Sequence, residues 1–371
     1  METIGINLLW LQPGVVGGSE EYTLSLLRAV HELDPLDLEL RIFAQPHLLD
    51  HHPDLSKRFE VTTAPRLPAG KVGRVAGEHT WLARQSARLS MVHHAGGVIP
   101  SGSPAPAMLT ILDLQPLDMP KNFGRVKRNW LGQMIPRSVR QAAAVVVPSE
   151  FTGNRVVEIL EADPQRVHVV PFGLSQPPAL DPPSASLGSP MFLYPAIAYS
   201  HKRHCDLLDA FEILRVEHPE VELMLTGGDG PLTGELRHRI ESAGLSGVVH
   251  MPGRIDRATL EDLYRRATAV VIPSEYEGFG LPALEAMNHG TPVVVADAGS
   301  LPEVVGNAGL VVPPRDPVAL AAAMASLLTG QDRRMELGER GLRRAQAFRW
   351  KSAGEALINA YRDALDHTLA A

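Results

Sequence analysis

The chain has 371 residues, of which 44% are hydrophobic and 21% charged; this composition is typical of a folded protein too large for one ordinary core. The net charge of −7 argues against general nucleic-acid binding, and no apolar run is long enough to span a bilayer. The single cysteine, Cys205, excludes an internal disulfide and fits a reducing compartment. The N-terminal residues read as a first strand rather than a signal peptide, so we expect a cytoplasmic protein.

Apolar runs alternate with helical stretches in the first half, which predicts a parallel sheet built from strand–helix–strand units. Strands are predicted near residues 4–11, 38–44, 89–93, 107–112, 143–147 and 167–170, and helices over 19–33, 122–141 and 151–161. The first strand leads into a Gly-rich turn that contains Gly17 and Gly18, with Ser19 as the expected N-cap. Glycines at such a strand end let the backbone approach a phosphate closely, although a tight turn needs glycine too.

A basic stretch interrupts this otherwise balanced half. Residues 1–175 carry 17 basic and 17 acidic residues, but no acid occurs between Asp118 and Glu150. Apolar side chains lie at helical spacing among the basic ones of 121–140, which is typical of a helix at a membrane surface. An ordinary domain helix with a solvated face is an equally good interpretation.

A proline-rich segment then divides the chain. Residues 174–190 favour neither helix nor strand, so we predict a linker between a domain over 1–173 and a domain over 191–351. In the second domain, strands are predicted near 191–195, 221–226, 248–251, 269–272, 292–295 and 309–312. The fold class is therefore α/β, with two doubly wound Rossmann-like domains facing each other across a cleft. An amphipathic helix over 352–371 ends the chain.

The most informative segment follows the strand predicted at 269–272. Glu277 and Glu285 have seven residues between them, across a Gly-rich turn and the start of a helix predicted over 282–289. Phe279, Gly280 and Leu281 lie at that helix N-terminus, where unpaired N–H groups and partial positive charge suit a sugar or a phosphate. Two carboxylates beside it can accept hydrogen bonds from vicinal hydroxyls. Acidic residues are also favoured at helix N-termini for structural reasons alone.

This segment resembles the E-x7-E signature of retaining GT-B glycosyltransferases, most closely glycosyltransferase family 4. The flanking segments 289–294 and 299–306 extend the resemblance. It implies that Glu277 contacts hydroxyls of the donor sugar and that Glu285 binds the ribose of a nucleotide. It also implies that the C-terminal helix packs back on the N-terminal, acceptor-side domain, and that neither a cofactor nor a metal is needed for donor binding.

Other positions take their roles from the same resemblance. Gly17 and Gly18 would contact the donor diphosphate, and Lys202 would neutralise it. Gly227 would keep the floor of the site open, and backbone near Gly253 and Arg254 would read the nucleobase. His201, His204 and Cys205 could instead suggest a metal site, but their spacing is weak without further ligands.

Two positions depart from the family. The arginine expected six residues before Lys202 is Ala196, for which the neighbouring Arg203 is a candidate substitute. The histidine expected before Asp113 is Leu112, which cannot form a hydrogen bond. Either His94 supplies the missing contact to the donor sugar, or activity is reduced or lost; a solvated or core-satisfied His93–His94 pair is an equally good interpretation.

The sequence thus predicts a transferase that moves a sugar, with mannose from GDP-mannose as the best guess, from a nucleotide-sugar donor to a carbohydrate or lipid-linked acceptor. Polysaccharide or glycolipid synthesis is the expected context, with retention at the anomeric carbon, no nucleic-acid partner and peripheral membrane contact through 121–140. Two alternatives stay open: a GT-B-fold sugar-nucleotide epimerase, and a catalytically impaired homologue that only binds a sugar nucleotide.

Overall fold

A computed structural model of the chain describes residues 1–14, 17–65, 71–103, 106–174 and 189–370. It divides into two compact units, which we call unit 1 (1–173 and 349–371) and unit 2 (174–348). Most of the predicted linker, residues 175–188, lies outside the described residues.

Unit 1 contains a parallel sheet of seven strands in the order β3-β2-β1-β4-β5-β6-β7. Its strands are β1 Glu2–Asn7, β2 Leu38–Ala44, β3 Glu60–Thr63, β4 Met91–His94, β5 Ala107–Thr110, β6 Ala144–Val147 and β7 Val167–Val169. Its helices are α1 Gly18–Leu33, α2 Pro46–His51, α3 Leu55–Arg58, α4 Lys71–Gly77, a π-helical turn Glu78–Leu82, α5 Ala83–Gln85, α6 Gln115–Asp118, α7 Arg125–Gln141, α8 Glu150–Leu160 and α16 Trp350–Ala370, with 3₁₀ turns Pro120–Asn122 and Pro164–Arg166.

Unit 2 repeats the arrangement with six parallel strands in the order β10-β9-β8-β11-β12-β13. Its strands are β8 Met191–Pro195, β9 Glu222–Thr226, β10 Val249–Gly253, β11 Ala269–Ile272, β12 Val293–Ala296 and β13 Gly309–Val312. Its helices are α9 His204–Arg215, α10 Thr233–Ser242, α11 Arg257–Arg266, α12 Leu281–Asn288, α13 Leu301–Val305, α14 Pro317–Thr329 and α15 Gln331–Ala345, with 3₁₀ turns Ser200–Lys202 and Gly306–Ala308.

Both sheets are doubly wound, so the predicted α/β class with two Rossmann-like domains is confirmed. The strand order reverses between β1 and β4 in unit 1 and between β8 and β11 in unit 2. The inner strands β4, β6, β11 and β12 are buried along their whole length, as expected where helices cover both faces of a parallel sheet. Loops at the carboxyl ends of strands at such a reversal are where ligands bind in this class of sheet.

Three local predictions were wrong. The first strand ends at Asn7 rather than residue 11, because the Asn7 side-chain oxygen accepts a hydrogen bond from the Leu9 backbone N–H and turns the chain. Helix α1 begins at Gly18 with Gly17, not Ser19, as its N-cap. Strand β3 was missed because it is a short edge strand without a buried face.

The C-terminal helix α16 belongs to unit 1, where it packs against α1. The Tyr361 hydroxyl lies 2.8 Å from the His93 Nδ1 atom at the end of β4. Arg362 forms a two-bond ion pair with Asp37 at 2.7 and 2.8 Å. Helix α16 therefore supports the centre of the unit 1 sheet.

Candidate functional site

The backbone of Glu277 is fixed by the loop before α13. Gly299 has a φ of +61°, and a side chain there would place its first carbon 2.6 Å from the Glu277 carbonyl oxygen, so only glycine allows this approach. The same oxygen accepts hydrogen bonds from the Ser300 backbone N–H at 3.1 Å and the Ser300 hydroxyl at 3.0 Å. Gly299 and Ser300, the first residues of the segment 299–306 that extends the family resemblance, thus fix the position of the Glu277 backbone.

Lys202 and Glu277, 75 residues apart in sequence, meet in the structure. The Lys202 Nζ atom donates to the Glu277 Oε1 atom at 2.6 Å, and the two side chains are 20% and 12% exposed. Both lie on loops at the carboxyl edge of the sheet, after the neighbouring strands β8 and β11. The site therefore combines a cation and a carboxylate, both partly shielded from water.

Three further contacts join these two loops. The Tyr194 hydroxyl donates to the Lys202 carbonyl oxygen at 2.9 Å and lies 2.9 Å from the Ser274 hydroxyl. The Glu275 backbone N–H donates to the His201 carbonyl oxygen, also at 2.9 Å. Tyr194 and Ser274 were not predicted from the sequence, since a tyrosine within a buried strand looks like an ordinary core residue. These hydrogen bonds fix the positions of the loops that carry Lys202 and Glu277 relative to each other.

Glu285 is a buried carboxylate with two protein partners. It lies in α12 with 6% of its surface exposed and accepts hydrogen bonds from the Tyr264 hydroxyl at 2.8 Å and from Arg257 at 2.5 Å. A carboxylate has about four lone-pair positions, so two remain for a ligand. Tyr264 and Arg257 on α11 were not predicted, because nothing in the sequence pairs that helix with α12.

The helix N-terminus beside these carboxylates forms as predicted, one residue earlier. Gly280 caps α12 with a φ of +94°, and a side chain there would collide with Leu301 at 2.7 Å. Leu281 is the first helical residue. Phe279 is 4% exposed and packs edge-on against Phe348, with ring centroids 5.7 Å apart. The backbone at this turn, rather than the Phe279 ring, is therefore what a ligand could meet.

The predicted glycines of the β9 and β10 loops also come together. The Gly227 N–H donates to the Gly253 carbonyl oxygen at 3.0 Å, and a side chain at Gly227 would approach the Ala196 carbonyl oxygen to 2.7 Å. A side-chain carbon on Gly228 would lie 3.9 Å from both Nε and Nη2 of Arg254. The Arg254 guanidinium thus lies over the open backbone at Gly228.

His201, Arg203 and His204 lie close to Lys202 in the sequence, and the structure shows the surroundings of each. Arg203 pairs with Asp206 through two hydrogen bonds of 2.9 and 2.7 Å. Its guanidinium is held by this pair and therefore does not replace the arginine that the family has at the position of Ala196. Burial lowers the pKa of both His201 and His204 to about 4, which keeps them neutral. Among the described residues, no group of three or more His, Cys, Asp or Glu side chains could hold a metal ion.

In unit 1, no atom of the described residues lies within 4 Å of where a side-chain carbon on Gly17 or Gly18 would be. The turn before them is held by Glu20, which accepts from the Gly14 N–H at 2.8 Å and pairs with His52 at 2.7 Å. Residues 15 and 16 of the predicted Gly-rich turn lie outside the described residues. Within the described part of the chain, the space beside Gly17 and Gly18 is therefore unfilled.

His93 and His94 are both buried, so the solvated alternative does not hold. The His93 ring nitrogens lie 2.8 Å from the Tyr361 hydroxyl and 2.6 Å from the Thr110 hydroxyl, and the His94 Nδ1 atom lies 3.2 Å from the Asn7 amide. Burial lowers the pKa of each to about 3. Leu112 is half-buried, and the Asp113 carboxylate accepts a hydrogen bond from the Gln115 N–H.

The basic stretch forms α7, whose two faces differ. Ile135 and Val139 are buried in the core of unit 1 with Leu131 against them, which is the ordinary domain-helix arrangement. Val126 and Trp130 on another face are 86% and 39% exposed. No helix in the described ranges is long and apolar enough to cross a membrane.

Comparison with known proteins agrees with this geometry. The sequence pattern of the family described as "Glycosyl transferases group 1" matches residues 180–344. A D-inositol 3-phosphate glycosyltransferase from Xylanimonas cellulosilytica is 30% identical over 78% of this chain and 70% of its own length. An MMP α-(1→4)-mannosyltransferase from Mycolicibacterium hassiacum is 33% identical over 64% of this chain, and the match spans 59% of that relative's length.

Solved structures give the same fold. A sucrose-phosphate synthase from Thermosynechococcus elongatus superimposes with a TM-score of 0.76 at 22% identity, over 98% of each chain. The fold and the sequence matches together define a GT-B glycosyltransferase. This chain belongs to the glycosyl transferases group 1 family.

Proposed function

We propose that the chain is a retaining transferase of glycosyltransferase family 4 type, which moves mannose from GDP-mannose to a hydroxyl of a carbohydrate or lipid-linked acceptor. The observation that carries this proposal is the constellation in unit 2: the Lys202–Glu277 pair and the buried Glu285 at one carboxyl edge of the sheet. The mannosyltransferase among the relatives favours mannose as the sugar.

Each residue of the constellation has a chemical task in this proposal. Lys202 and the backbone of Gly17 and Gly18 receive the negative charge that grows on the diphosphate as the sugar–oxygen bond breaks. Glu277 accepts hydrogen bonds from sugar hydroxyls, and Glu285 binds the ribose with the lone pairs that Tyr264 and Arg257 leave. Lys202 and Glu277 already contact each other, so both groups are held in place when the donor binds. The diphosphate then meets Lys202 and the sugar hydroxyls meet Glu277 without a further loss of side-chain freedom.

The remaining predicted residues complete the donor site. The backbone at Phe279, Gly280 and Leu281 faces the diphosphate at the N-terminus of α12. Gly227, Gly253 and Arg254 form the floor and the base-reading edge. His94 is proposed to orient the sugar as a neutral imidazole, which replaces the contact that Leu112 cannot make.

The chemistry requires positioning and charge stabilisation rather than a protein nucleophile. In the proposed mechanism, the acceptor hydroxyl attacks the anomeric carbon on the face from which the diphosphate departs, and the leaving phosphate oxygen takes the hydroxyl proton. The configuration is therefore retained. Cations and helix amides supply the charge compensation, so we propose that donor binding needs no metal.

Incubation with a panel of nucleotide sugars tests the function, with free nucleotide measured in the presence and absence of candidate acceptors. The proposal predicts nucleotide release that depends on acceptor and is fastest with GDP-mannose. Interconversion of the sugar without release would identify an epimerase, and binding without either reaction would identify an impaired homologue. A product with inverted anomeric configuration would contradict the retaining mechanism.

A further inference from the structure

Arg315 has a backbone conformation that residues with a side chain disfavour. Its φ is +58°, in the left-handed region that glycine adopts freely. Among the described residues, four that are not glycine have such a φ: Asp34, Glu161, Arg203 and Arg315. Asp34 and Glu161 follow the last residues of α1 and α8, and helices commonly end on a left-handed residue. Arg315 lies instead in the exposed turn between β13 and α14, so its conformation needs another explanation.

The Arg315 side chain contacts the loop that carries Glu277. Its Nε and Nη2 atoms donate to the Glu275 Oε2 atom at 2.8 and 2.5 Å. Glu275 follows β11 and Arg315 follows β13, with β12 between these two strands in the sheet. The guanidinium is 64% exposed and the carboxylate 12% exposed. The pair therefore joins a turn at the surface to a shielded group two residues before Glu277.

Stability does not explain why an arginine stands at this position. An ion pair at the surface contributes little to the free energy of unfolding, and the left-handed backbone has a cost that glycine would avoid. The turn is also restrained without the pair, since it lies between Pro314 and Pro317 and the Asp316 side chain caps α14. Glycine would thus suit the turn, and what Arg315 adds is its contact with Glu275.

That contact is one of several that hold the Glu277 loop. The Glu275 backbone N–H is bonded, at 2.9 Å, to the turn that carries Lys202. The Glu277 carbonyl oxygen accepts two hydrogen bonds from Ser300, which follows β12. These bonds fix the backbone of the loop from the β8 and β12 sides. Arg315 adds a contact from the loop after β13, and it acts on the position of Glu277 through the Glu275 side chain.

We propose that Arg315 is a positioning residue for sugar transfer, whose ion pair with Glu275 holds the Glu277 carboxylate where the donor sugar requires it. The effect on the reaction rests on the proposed function, because it takes Glu277 as the carboxylate that binds the sugar. The restraint on the loop does not, since it follows from the contacts of Arg315 alone. The left-handed backbone is then a local strain that accompanies a functional contact.

Arg315→Gly in the full chain separates positioning from stability. The variant loses the ion pair but relaxes the backbone, so it should melt at or above the wild-type temperature. Its kcat with GDP-mannose should nevertheless fall about tenfold, because a small displacement of a contacting group slows a reaction strongly. Glu161→Gly is the matched control. It relaxes a left-handed residue at the end of α8 in unit 1, and it should keep the wild-type kcat.

A double-mutant cycle with Glu275→Ala shows whether the two residues act as a pair. Glu275→Ala should also lower kcat about tenfold, and the double variant should be no slower than either single variant, since both remove the same interaction. Additive losses, or a wild-type kcat in Arg315→Gly, would overturn the proposal. A melting temperature of Arg315→Gly well below that of wild type would show that the pair stabilises the fold instead, and would overturn it too.

Hydrogen exchange tests the restraint on the loop without the reaction. The backbone N–H groups of Glu275 and Ser300 should exchange about two- to fivefold faster in Arg315→Gly than in wild type or Glu161→Gly, as expected for the loss of one surface ion pair. Unchanged exchange would overturn the proposal. Faster exchange in a protein that transfers sugar from no nucleotide sugar would contradict the proposed function and leave the loop restraint standing.

Discussion

The two units have the same sheet topology but different chemistry at their carboxyl edges. In unit 2 the edge carries ion pairs, Lys202 with Glu277 and Arg257 with Glu285. In unit 1 the corresponding edge carries two buried neutral histidines and the Asn7 amide, with Glu78 as the half-buried charge. From this difference we propose that the ion-paired edge of unit 2 recognises the charged groups of the donor. The edge of unit 1 contributes only neutral groups to the proposed site, namely backbone N–H groups and an imidazole.

Removal of the Glu277 carboxylate should have the largest effect. Glu277→Ala deletes the proposed sugar contact and leaves Lys202 without its partner, so we expect kcat to fall by about 10²–10³-fold. GDP affinity should change little, because the proposed partner of Glu277 is the sugar and not the nucleotide. Initial rates at saturating donor and calorimetric titration with GDP measure the two quantities. Asp262→Ala on the exposed side of α11 is the control, and normal turnover by Glu277→Ala would refute the role.

Acid should destabilise unit 1 through its histidine pair. Burial lowers the pKa of His93 and His94 to about 3, whereas an unfolded histidine titrates near 6.5. The fold therefore favours the neutral rings, and stability is complete above pH 6.5 and lost as the pH falls towards 3. At pH 5 the loss should be about 2 kcal/mol for each histidine.

Urea unfolding at pH 7.5 and 5.0 checks this loss, with His94→Gln as the matched variant. The glutamine carbonyl can still accept from Asn7 but does not titrate, so the variant should lose about half as much stability between the two pH values. An identical pH dependence in wild type and variant would show that His94 is not the neutral group described here.

Glu285 should contribute to stability as well as to nucleotide binding. Glu285→Ala removes the carboxylate that accepts a hydrogen bond from the buried Tyr264 hydroxyl, which should cost about 1–3 kcal/mol in the free energy of unfolding. A double-mutant cycle with Tyr264→Phe separates the two roles. The tyrosine change should recover part of the lost stability but none of the lost GDP affinity. Unchanged GDP affinity in Glu285→Ala would contradict the ribose contact.

The smallest expected effect concerns the exposed face of α7. If this face meets anionic lipid, the chain should co-sediment with phosphatidylserine vesicles at low salt and dissociate as salt rises. Lys127→Ala should weaken binding by about 1 kcal/mol. Lys57→Ala, on an exposed part of α3, should bind like wild type. The absence of sedimentation at any salt concentration would leave α7 as an ordinary domain helix.

The sequence predicted more of unit 2 than of unit 1, for a physical reason. Strand β11, the Gly-rich turn and α12 are contiguous in sequence, so one segment contains most of the local structure around Glu277 and Glu285. The resemblance also singled out Gly227 and the segment 299–306, and the structure shows close backbone contacts at Gly227 and Gly299. Long-range partners such as Tyr264 and Tyr194 were not predictable, because their packing depends on which helices and strands meet.

In unit 1, the polar side chains of Asn7, Glu78 and His94 come together from three separate segments. Asn7 marks the end of a strand and Glu78 a helical distortion, and neither has a pattern that points to the other. His94 was singled out as a replacement for the histidine missing at Leu112, but its burial and its contact with Asn7 are visible only in the structure. Such a cluster becomes visible only once the strand order is known.

The most direct test of the proposed difference between the units is a calorimetric titration of GDP and of guanosine into wild type and Lys202→Ala. The account predicts that loss of the lysine weakens GDP binding by about 10–100-fold, because a charged hydrogen-bonding group is removed from the diphosphate. Guanosine binding should be unchanged. Equal affinities of both proteins for GDP would show that unit 2 does not recognise the diphosphate through Lys202, and would contradict the central claim.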